Sequence, residues 1–367
     1  MLAACGGSAA PAASQPASAT GSAAAKPSTA APAGAASAPA SPSAKPAAGG
    51  SAGTAAPVPS GVTPINVAFA ASAAVYDPWY IAMEKGYDVE EGIKIQMTQA
   101  GGGVSTPALI SNKLDYSTSA ASAFSAVLKG APLKIIFTNA DKPQYRLYST
   151  SKDIKTLADL KGKSVAVQSR GDTFEIATRI ELLKNGIDPN SVSYTPLGTG
   201  GALLAAFKGG SVAASLLNTA DMAELGDAVN KGNLLADLQK DVSMLYMGIA
   251  TNDQKLQKDR DQVLRFTRAT VKGREYMKAF RDQAIDILTK YNKRDRAGNA
   301  DDYDQTIPLL TDDGTLTPEA QEFNAEVSAQ ILNMQKSQIP PIDKMYDYSL
   351  AKQAYADLKS AGWKPEK

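Results

Sequence analysis

Glycines and hydroxyl-bearing residues are concentrated in short turns, and these turns are where the sequence could bind a small ligand. Residues 101–107 read GGGVSTP, residues 117–122 read STSAAS, and residues 198–201 read GTGG. Glycines leave backbone N–H groups open to an acceptor, and hydroxyl groups can donate or accept a hydrogen bond. Such turns favour a small anion or a polar uncharged ring over a cation.

A charged turn, residues 169–172, reads SRGD. Its cation, Arg170, either holds an anionic ligand or is a solvated loop charge. Asp172 and Glu175 are spaced as a capping pair, with an acceptor at each end of the first turn of a helix. If the Asp172 carboxylate instead faces the ligand, it would suit an amine-bearing heterocycle.

The segment VYDPW places two aromatic residues at the start of a predicted helix. Asp77 is expected to be the N-cap, with Pro78 at the first helical position. Tyr76 either forms a wall for a flat ligand or packs in the core, whereas Trp79 is expected in the core. Thr106 and Pro107 repeat the cap-then-proline pattern at the start of a second helix.

Strands and helices that alternate along the chain must position these turns. Apolar runs at 65–70, 93–98 and 114–118 predict three strands separated by helices, and the runs at 164–168, 192–195 and 212–217 repeat that order. This alternation indicates parallel strands with crossover helices. Two open α/β sheets are therefore predicted. Ligands of such sheets lie beyond the carboxyl ends of the strands, where all these turns fall.

The fold class predicted is α/β, with two lobes around a cleft. Lobe 1 is expected to comprise residues 61–149 and 243–367, and lobe 2 residues 150–242. The apolar run 243–251 is interpreted as the return to lobe 1. Helices are expected over 261–291, with a break or kink near Gly273, and over 317–334 and 349–358. These late helices are expected to pack against lobe 1.

The composition excludes several classes of function. The 367-residue chain has a formal net charge of +1 and is 44% hydrophobic, which gives no electrostatic case for nucleic acid. It has no histidine, so Ser-His-Asp catalysis and HExxH zinc sites are excluded. Its single cysteine, Cys5, excludes an intrachain disulfide and a cysteine-cluster metal site. We expect no cofactor and no metal.

The first residues, MLAACGG, resemble the lipobox of bacterial lipoproteins, in which the cysteine carries the lipid. Cys5 is therefore predicted to be lipidated; the alternative is an ordinary free cysteine. Residues 6–60 consist almost entirely of Ala, Ser, Pro, Gly and Thr. Without large apolar side chains this segment cannot offset its ordering entropy, so we expect a disordered tether.

Several phrases, in order, resemble the nitrate/sulfonate/taurine and thiamine-precursor branch of bacterial ABC-importer solute-binding proteins. They include DPWYIAMEKGYDVEEGIKI, LISNKLDYSTSAASAFSAVLKGAPLKII and TLADLKGKSVAVQSRGDTFEIATRIELLKNGIDPNSV. The resemblance runs from about Ile65 to about Phe280. It implies a two-lobed type II periplasmic-binding fold that closes on a solute and passes it to a membrane permease.

The resemblance also implies which residues contact the ligand. Carried onto this chain, the ligand positions of the family are Ser72, Tyr76, Gly102, Gly103, Ser119, Arg170, Asp172, Thr199 and Asn218. Sulfonate and taurine binders commonly have a Gly-Ser-x-x-His type sequence where this chain has Arg-Gly-Asp-Thr, which argues against those two ligands. We expect a small organic anion, with an aromatic group, in preference to an aminopyrimidine.

The resemblance implies a non-enzymatic, monomeric protein on the extracytoplasmic face of the cell membrane, held there by its lipid. Its expected partners are a small-molecule solute, an ABC permease and the ATPase of that permease. A lipid-anchored sensor or adhesin domain of the same fold is an alternative. Two other classes of this fold are disfavoured. A deaminase would need an internal cysteine, whereas Cys5 precedes the predicted fold. A LysR-type effector domain would need a DNA-binding head, and the predicted tether stands in its place.

Overall fold

The computed structural model describes residues 61–70, 73–168, 170–198, 201–292 and 294–366. The predicted lipidation site Cys5, the tether 6–60 and the candidate ligand residues Ser72 and Thr199 lie outside these ranges. No helix within them has the length and apolar character needed to cross a membrane.

The strands in the described residues fall into two groups along the chain. They are β1 Thr63–Phe69, β2 Ile93–Gln99, β3 Tyr116–Ser117, β4 Leu133–Ala140, β5 Arg146–Ser149, β6 Ser164–Val167, β7 Ser193–Pro196, β8 Ala214–Leu217, β9 Leu234–Asp237 and β10 Met247–Asn252.

Helices connect these strands and form most of the last third of the chain. They are α1 Asp77–Glu84, α2 Tyr87–Glu90, α3 Gly102–Ile110, α4 Ala120–Leu128, α5 Thr173–Lys184, α6 Gly201–Gly209, α7 Thr219–Leu225, α8 Leu238–Asp241, α9 Asp253–Lys258, α10 Arg260–Ala279, α11 Arg281–Tyr291, α12 Arg296–Thr306, α13 Pro318–Ile331, α14 Ile342–Met345 and α15 Ser349–Ser360.

The two predicted sheets are confirmed, and they share one topology. The first sheet has the order β2-β1-β3-β10-β4, and the second has the order β7-β6-β8-β5-β9. In each, the first three strands in this order are parallel, and the fourth, β10 in the first sheet and β5 in the second, pairs antiparallel with the third. The repeat of element order in the sequence is thus a repeat of sheet architecture.

The boundary expected at residue 149 is misplaced, because β5 belongs to the second sheet. β5 pairs antiparallel with β8 and β9, and its Leu147 is fully buried in the second core. The chain therefore leaves the first sheet after Ala140, nine residues earlier than expected. It returns with β10, which pairs with β3 and β4 in the first sheet as the sequence predicted.

Two segments carry the chain between the sheets, and we call residues 141–145 and 242–246 the crossing segments. They run side by side. The Ser243 hydroxyl donates to the Asp141 carboxylate at 2.8 Å, and the Met244 N–H donates to the Asp141 carbonyl at 2.7 Å. These bonds join both connections at the point where the two sheets meet.

The break expected near Gly273 is wrong, because α10 is continuous through that position. A Cβ on Gly273 would lie 1.9 Å from the Pro78 carbonyl oxygen. The glycine therefore permits the close approach of α10 to α1. Trp79 is fully buried beside this contact and its indole N–H donates to the Thr270 hydroxyl at 3.0 Å, which confirms it as a core residue.

The late helices do not all pack against the first sheet alone. α10 and α15 lie over the first core, as predicted, whereas α13 contacts both α4 and α5. Val327 of α13 packs in the second core and Ala325 packs beside α4. α12 was not predicted at all, and it forms part of the site described below.

Candidate functional site

The carboxyl ends of the parallel strands bring the predicted turns to one edge of each sheet. In the first sheet the Ala100 N–H donates to the Phe69 carbonyl and the Thr118 N–H donates to the Ala68 carbonyl, at 2.8 and 2.9 Å. These bonds hold the turns after β2 and β3 on either side of the turn after β1. The order of the strands thus positions the candidate residues as the sequence indicated.

Gly102 and Ser119, two of the candidate residues, meet where α3 and α4 begin. A Cβ on Gly102 would lie 2.4 Å from the Ser122 Cβ and 3.4 Å from the Ser119 Cβ. By contrast, a Cβ on Gly103 would meet nothing within 4 Å. Only a residue without a side chain permits the two helix N-termini to approach this closely at position 102.

The cap expected at Thr106 is wrong, since α3 begins four residues earlier, at Gly102, and contains Pro107 in its interior. The glycines allow this early start. Ser105 then faces β3, where its hydroxyl accepts a hydrogen bond from the Ser117 hydroxyl at 2.9 Å. Pro107 is the sixth residue of α3, so it lies beyond the unpartnered first turn and removes the intrahelical hydrogen bond to the Gly103 carbonyl.

Both helices begin without a side-chain cap. Close to them in the chain, the hydroxyl oxygens of Thr106, Thr118 and Ser119 are buried and have no hydrogen-bond partner among the described residues. Buried polar groups in folded proteins are normally paired, and helix N-termini attract negative charge. The edge of the first sheet therefore offers N–H and O–H donors to a ligand.

At the edge of the second sheet, Asp172 caps α5. Its carboxylate accepts the Glu175 N–H at 2.9 Å and the Gln168 N–H at 2.8 Å. The capping interpretation of this residue is confirmed. Since each of its oxygens accepts a backbone hydrogen bond, the carboxylate is held in the turn.

Arg170 is exposed and forms an ion pair with the buried Glu175, with 3.1 Å between Nη2 and Oε1. The same carboxylate oxygen accepts the Arg179 Nε–H at 2.9 Å, and Arg179 is also buried. One carboxylate thus serves two guanidinium groups. Arg170 is the solvent-facing member of this cluster, in which the charges of the two arginines are balanced by Glu175 and the adjacent cap residue Asp172.

Asn218 caps α7 in a reciprocal pair with Asp221. Its Oδ1 accepts the Asp221 N–H at 2.8 Å, and the Asp221 carboxylate accepts the Asn218 N–H at 2.9 Å. This use of Oδ1 leaves the amide NH₂ group of Asn218 as the part that can contact a ligand.

A cavity of about 310 Å³ lies where elements of the two sheets meet. The residues that line it are Ala73, Gln144, Asn218, Thr219, Ala223, Arg294, Gly298, Asp301, Asp302 and Gln305. Ala73 comes from the turn after β1 and Asn218 from the turn after β8, so the cavity joins the two edges. Across it, the Thr219 hydroxyl donates to Gln305 Oε1 at 2.6 Å.

Half of this lining comes from residues 294–305, which sequence reasoning missed. α12 begins at an Asp295 cap, whose carboxylate accepts the Gly298 N–H at 2.8 Å. The Asp-x-x-Gly spacing could have marked a helix start, but the segment RAGNADDYDQT has few apolar residues to show a buried face. Its position is set by packing, with Tyr303 buried in the first core.

Two carboxylates, one on the cavity wall and one behind it, have unusual surroundings. Asp302 accepts the Ala74 N–H at 2.9 Å and pairs with Arg294 at 3.3 Å, and burial raises its pKa. Behind it, Asp77 is fully buried and both its carboxylate oxygens have no partner among the described residues. Burial, and then the nearby Asp302, hold the pKa of Asp77 well above its usual range.

Asp77 is not the N-cap that the sequence predicted. Residues Ala74–Tyr76 form a single 3-10 turn that runs directly into α1, so Tyr76 occupies the cap position and Asp77 is the first helical residue. Tyr76 itself is buried, with its ring 5.8 Å from Phe69 and 6.2 Å from Trp79. Its ring thus lies in the core rather than on the cavity wall.

Two tyrosines that sequence reasoning missed lie on the crossing segments. The rings of Tyr145 and Tyr246 are 6.1 Å apart and nearly perpendicular, and Tyr145 also lies 4.7 Å from Phe174 of α5. Burial raises the pKa of both phenols. Nothing in the local sequence marks them, because they are 101 positions apart and meet only through the fold.

Within the described ranges, no group of three or more His, Cys, Asp or Glu side chains is placed so that it could hold a metal ion.

The fold is shared with solved structures of ligand-binding proteins. One is the ligand-binding component of an ABC-type import system from Staphylococcus aureus with zinc bound, at 16% identity and a TM-score of 0.61, over 80% of this chain and 99% of that one. Another is the nitrate-binding protein NrtA from Synechocystis, at 14% identity and a TM-score of 0.57, over 81% and 89%.

A third is the periplasmic aliphatic sulphonate binding protein SsuA from Escherichia coli, at 17% identity and a TM-score of 0.55, over 76% of this chain and 94% of that one. At these identities the likeness shows the fold, and the expected type II periplasmic-binding fold is confirmed.

No curated protein sequence matches the chain. Residues 74–284, more than half of the chain, match the model of the NMT1/THI5-like family, and the protein therefore belongs to that family.

Proposed function

We propose that this protein is the solute-binding component of an ABC importer, which captures a small solute between its two sheets and delivers it to a permease and the ATPase of that permease. The observation that carries the proposal is the meeting of α3 and α4 at Gly102 and Ser119. Their uncapped N-termini adjoin buried hydroxyls that have no hydrogen-bond partner among the described residues. A ligand with acceptor atoms would satisfy these donors.

The fold supports the same proposal. Ligands of open α/β sheets lie beyond the carboxyl ends of the strands, and the turns after β1 and β8 contribute Ala73 and Asn218 to the cavity lining. The other described candidate residues do not line that cavity. The structures with this fold include a nitrate-binding protein, a sulphonate-binding protein and a ligand-binding component of an import system. A two-sheet protein joined by two short segments is suited to hinge closure around a solute.

The proposed solute is a small organic anion; the aromatic group expected from a Tyr76 wall loses its support, because the Tyr76 ring packs in the core. The donors at α3 and α4 suit its acidic end, and Arg170 supplies an exposed cation at the edge of the opposite sheet. The Asp172 carboxylate is held in the turn by two backbone N–H groups, where it serves as the cap of α5. Arg170 would attract the solute at long range, since it is exposed.

An aminopyrimidine or another N–H-bearing solute is the second candidate. The observation that favours it is the pair of carboxylates, Asp301 and Asp302, on the cavity wall. Arg294 neutralises Asp302, while Asp301 is exposed. A solute that donates hydrogen bonds would use these acceptors in place of the α3 and α4 donors.

The remaining parts of the proposal concern location and partners. We propose that Cys5 carries a lipid, that residues 6–60 tether the folded part to the extracytoplasmic face of the membrane, and that the protein acts as a monomer. The Leu-Ala-Ala-Cys pattern and the composition of the tether support this arrangement. Cell fractionation of the precursor, expressed with its native signal, tests the anchor; retention of Cys5→Ala in the membrane fraction would contradict it.

We propose binding rather than catalysis, because the chain has no histidine for Ser-His-Asp or Cys-His catalysis and its single cysteine, Cys5, precedes the proposed tether. A lipid-anchored sensor or adhesin would share the fold and the tether but would have no permease partner. Deletion of the gene separates these roles, since only loss of an importer component stops accumulation of the labelled solute in cells.

A thermal-shift panel tests the solute class. It should contain aromatic carboxylates, sulfonates, nitrate, aminopyrimidines and riboflavin. A ligand at 100 times its Kd adds about 2.7 kcal/mol to the free energy of unfolding, which is readily detected. We expect stabilisation by an anion. Stabilisation by aminopyrimidines alone, lost in Asp172→Asn and kept in Arg170→Ala, would contradict the anion assignment.

A further inference from the structure

We propose that Tyr145 and Tyr246 together form a ligand contact, in which the O–H group of Tyr145, positioned by Tyr246, donates a hydrogen bond to an oxygen acceptor on the solute: a carboxylate, sulfonate or carbonyl. The inference rests on the proposed function and adds to it a site at the crossing segments, separate from the turns at the sheet edges.

The first support is the position of the two residues. Tyr145 directly follows Gln144, which lines the cavity. Tyr246 ends the other crossing segment and packs against both the first and the second core. The bonds of Ser243 and Met244 to Asp141 hold the two segments together. The pair therefore lies between the sheets, where a solute in the cleft would rest.

The second support is the surroundings of the rings. Tyr145 contacts Phe174 in the first turn of α5, next to the cap residue Asp172. Tyr246 is close enough to Tyr76 and to Asp302 of the cavity wall for both to raise the pKa of its phenol. Elements from both sheets thus surround the pair, yet neither ring is fully buried and solvent reaches both.

The third support is chemical. Both phenols keep their protons at neutral pH, since the ordinary pKa of a tyrosine is about 10 and burial raises it further. The Tyr246 phenol donates a hydrogen bond to the Tyr145 phenol, so the O–H group of Tyr145 is the donor of the pair that remains for a solute. Oxygen acceptors with several lone pairs fit such an arrangement, whereas an ammonium group would offer it no acceptor.

The test uses the full chain and removes one hydroxyl at a time. Tyr145→Phe and Tyr246→Phe keep the rings and the packing, and Tyr148→Phe, in β5, is the matched control. The probes are benzoate, benzenesulfonate and nitrate, with affinity measured by calorimetry. We expect each crossing-segment variant to bind the stabilising probe about 3- to 30-fold more weakly, and Tyr148→Phe to bind as wild type.

A second readout separates ligand contact from a structural role. In protein labelled with 3-fluorotyrosine, the two variants assign the fluorine signals of Tyr145 and Tyr246. We expect the probe to shift these two signals more than that of Tyr148. Urea unfolding of each variant checks that the fold is retained, and the signals of the wild type give the answer even if a variant unfolds.

Three results would overturn or limit the inference in distinguishable ways. If a probe binds the wild type, leaves both fluorine signals unmoved and binds both variants within about 2-fold, the phenol contact is wrong and the proposed function stands. If aminopyrimidines bind and no oxygen-acceptor probe does, the acceptor class is wrong. If no probe binds, the contact as proposed is overturned, and the proposed function is then decided by the recovery of a natural solute.

Discussion

Gly102 and Ser122 approach so closely that a Cβ added to the glycine would lie 2.0 Å from the serine Oγ. This contact joins the first turns of α3 and α4. It makes position 102 a packing requirement, and not only a source of free N–H groups. The neighbouring Gly103 has no such contact, so the two glycines provide a matched pair for testing what the approach contributes.

Gly102→Ala should destabilise the protein by about 1–3 kcal/mol, because the new methyl group must separate two packed helices. Gly103→Ala should be neutral or stabilising by up to about 1 kcal/mol, because it has open space and lies in a helix. Urea unfolding measures both. Equal effects of the two substitutions would contradict the packing account. Ligand binding should weaken in Gly102→Ala and persist in Gly103→Ala.

Glu175→Gln should cost about 3–5 kcal/mol, since it leaves the buried Arg179 and the nearby Arg170 without their shared counter-charge. Arg170→Ala should change the free energy of unfolding by less than about 1 kcal/mol, because its ion pair is exposed on one side. Chemical denaturation of the two variants provides the comparison. A larger loss for Arg170→Ala than for Glu175→Gln would contradict the geometry of the cluster.

Asp77 should make stability depend on pH. Its pKa in the folded state is raised above the usual value of 3.8 by burial, and also by Asp302. The folded protein therefore holds this proton more tightly than the unfolded chain. The stabilising contribution is complete below about pH 4 and is lost as the pH rises through the raised pKa.

Asp77→Asn should remove that loss. The stability of the variant relative to wild type should increase by about 1.4 kcal/mol per pH unit between the two pKa values. Unfolding curves measured about every pH unit from pH 3 to pH 8 give the slope. The exposed Asp227→Asn serves as the control and should show no such trend. If the stability difference between Asp77→Asn and wild type does not change with pH, burial does not raise the pKa of the Asp77 carboxyl, and this account is contradicted.

Gln305→Ala should favour an open cleft, because it removes the hydrogen bond from Thr219 that crosses the cavity. Spin labels attached at Lys113→Cys and Lys208→Cys, in a Cys5→Ala background, report the distance between these two exposed positions, which belong to different sheets. Double electron–electron resonance should show a longer mean distance between the labels in Gln305→Ala than in wild type. Gln353→Ala, exposed on α15, is the control. Identical distances in all three proteins would show that this bond does not bias closure.

The sequence predicted the elements that depend on local pattern. The apolar runs 65–70 and 164–168 correspond to β1 and β6, and the repeated order of strands and helices corresponds to two sheets of one topology. Asp172 was identifiable as a cap because its role depends on Glu175, three residues away. Periodicity and capping are short-range signals, which a single sequence can carry. The caps predicted at Asp77 and Thr106 were nevertheless wrong, because α1 follows a 3-10 turn that places Tyr76 at the cap and α3 begins at Gly102.

The features that were missed depend on contacts between distant residues. Gly273 was interpreted as a helix breaker, although it is required by the approach of Pro78, far away in the chain. α12 has a largely polar sequence and is fixed by the packing of Tyr303. Tyr145 and Tyr246 meet only because two crossing segments lie side by side. No local pattern encodes such pairs, and it is these pairs that complete the candidate site.

The central claim is that the cavity between the sheets holds a small solute, and native mass spectrometry tests it most directly. The full chain would be incubated with a small-metabolite extract of its own cells, exchanged into volatile buffer and measured intact. The account predicts one solute per protein, released on denaturation and reduced in Gly102→Ala but not in Gly103→Ala. A wild-type spectrum that contains only the mass of the bare protein would contradict it.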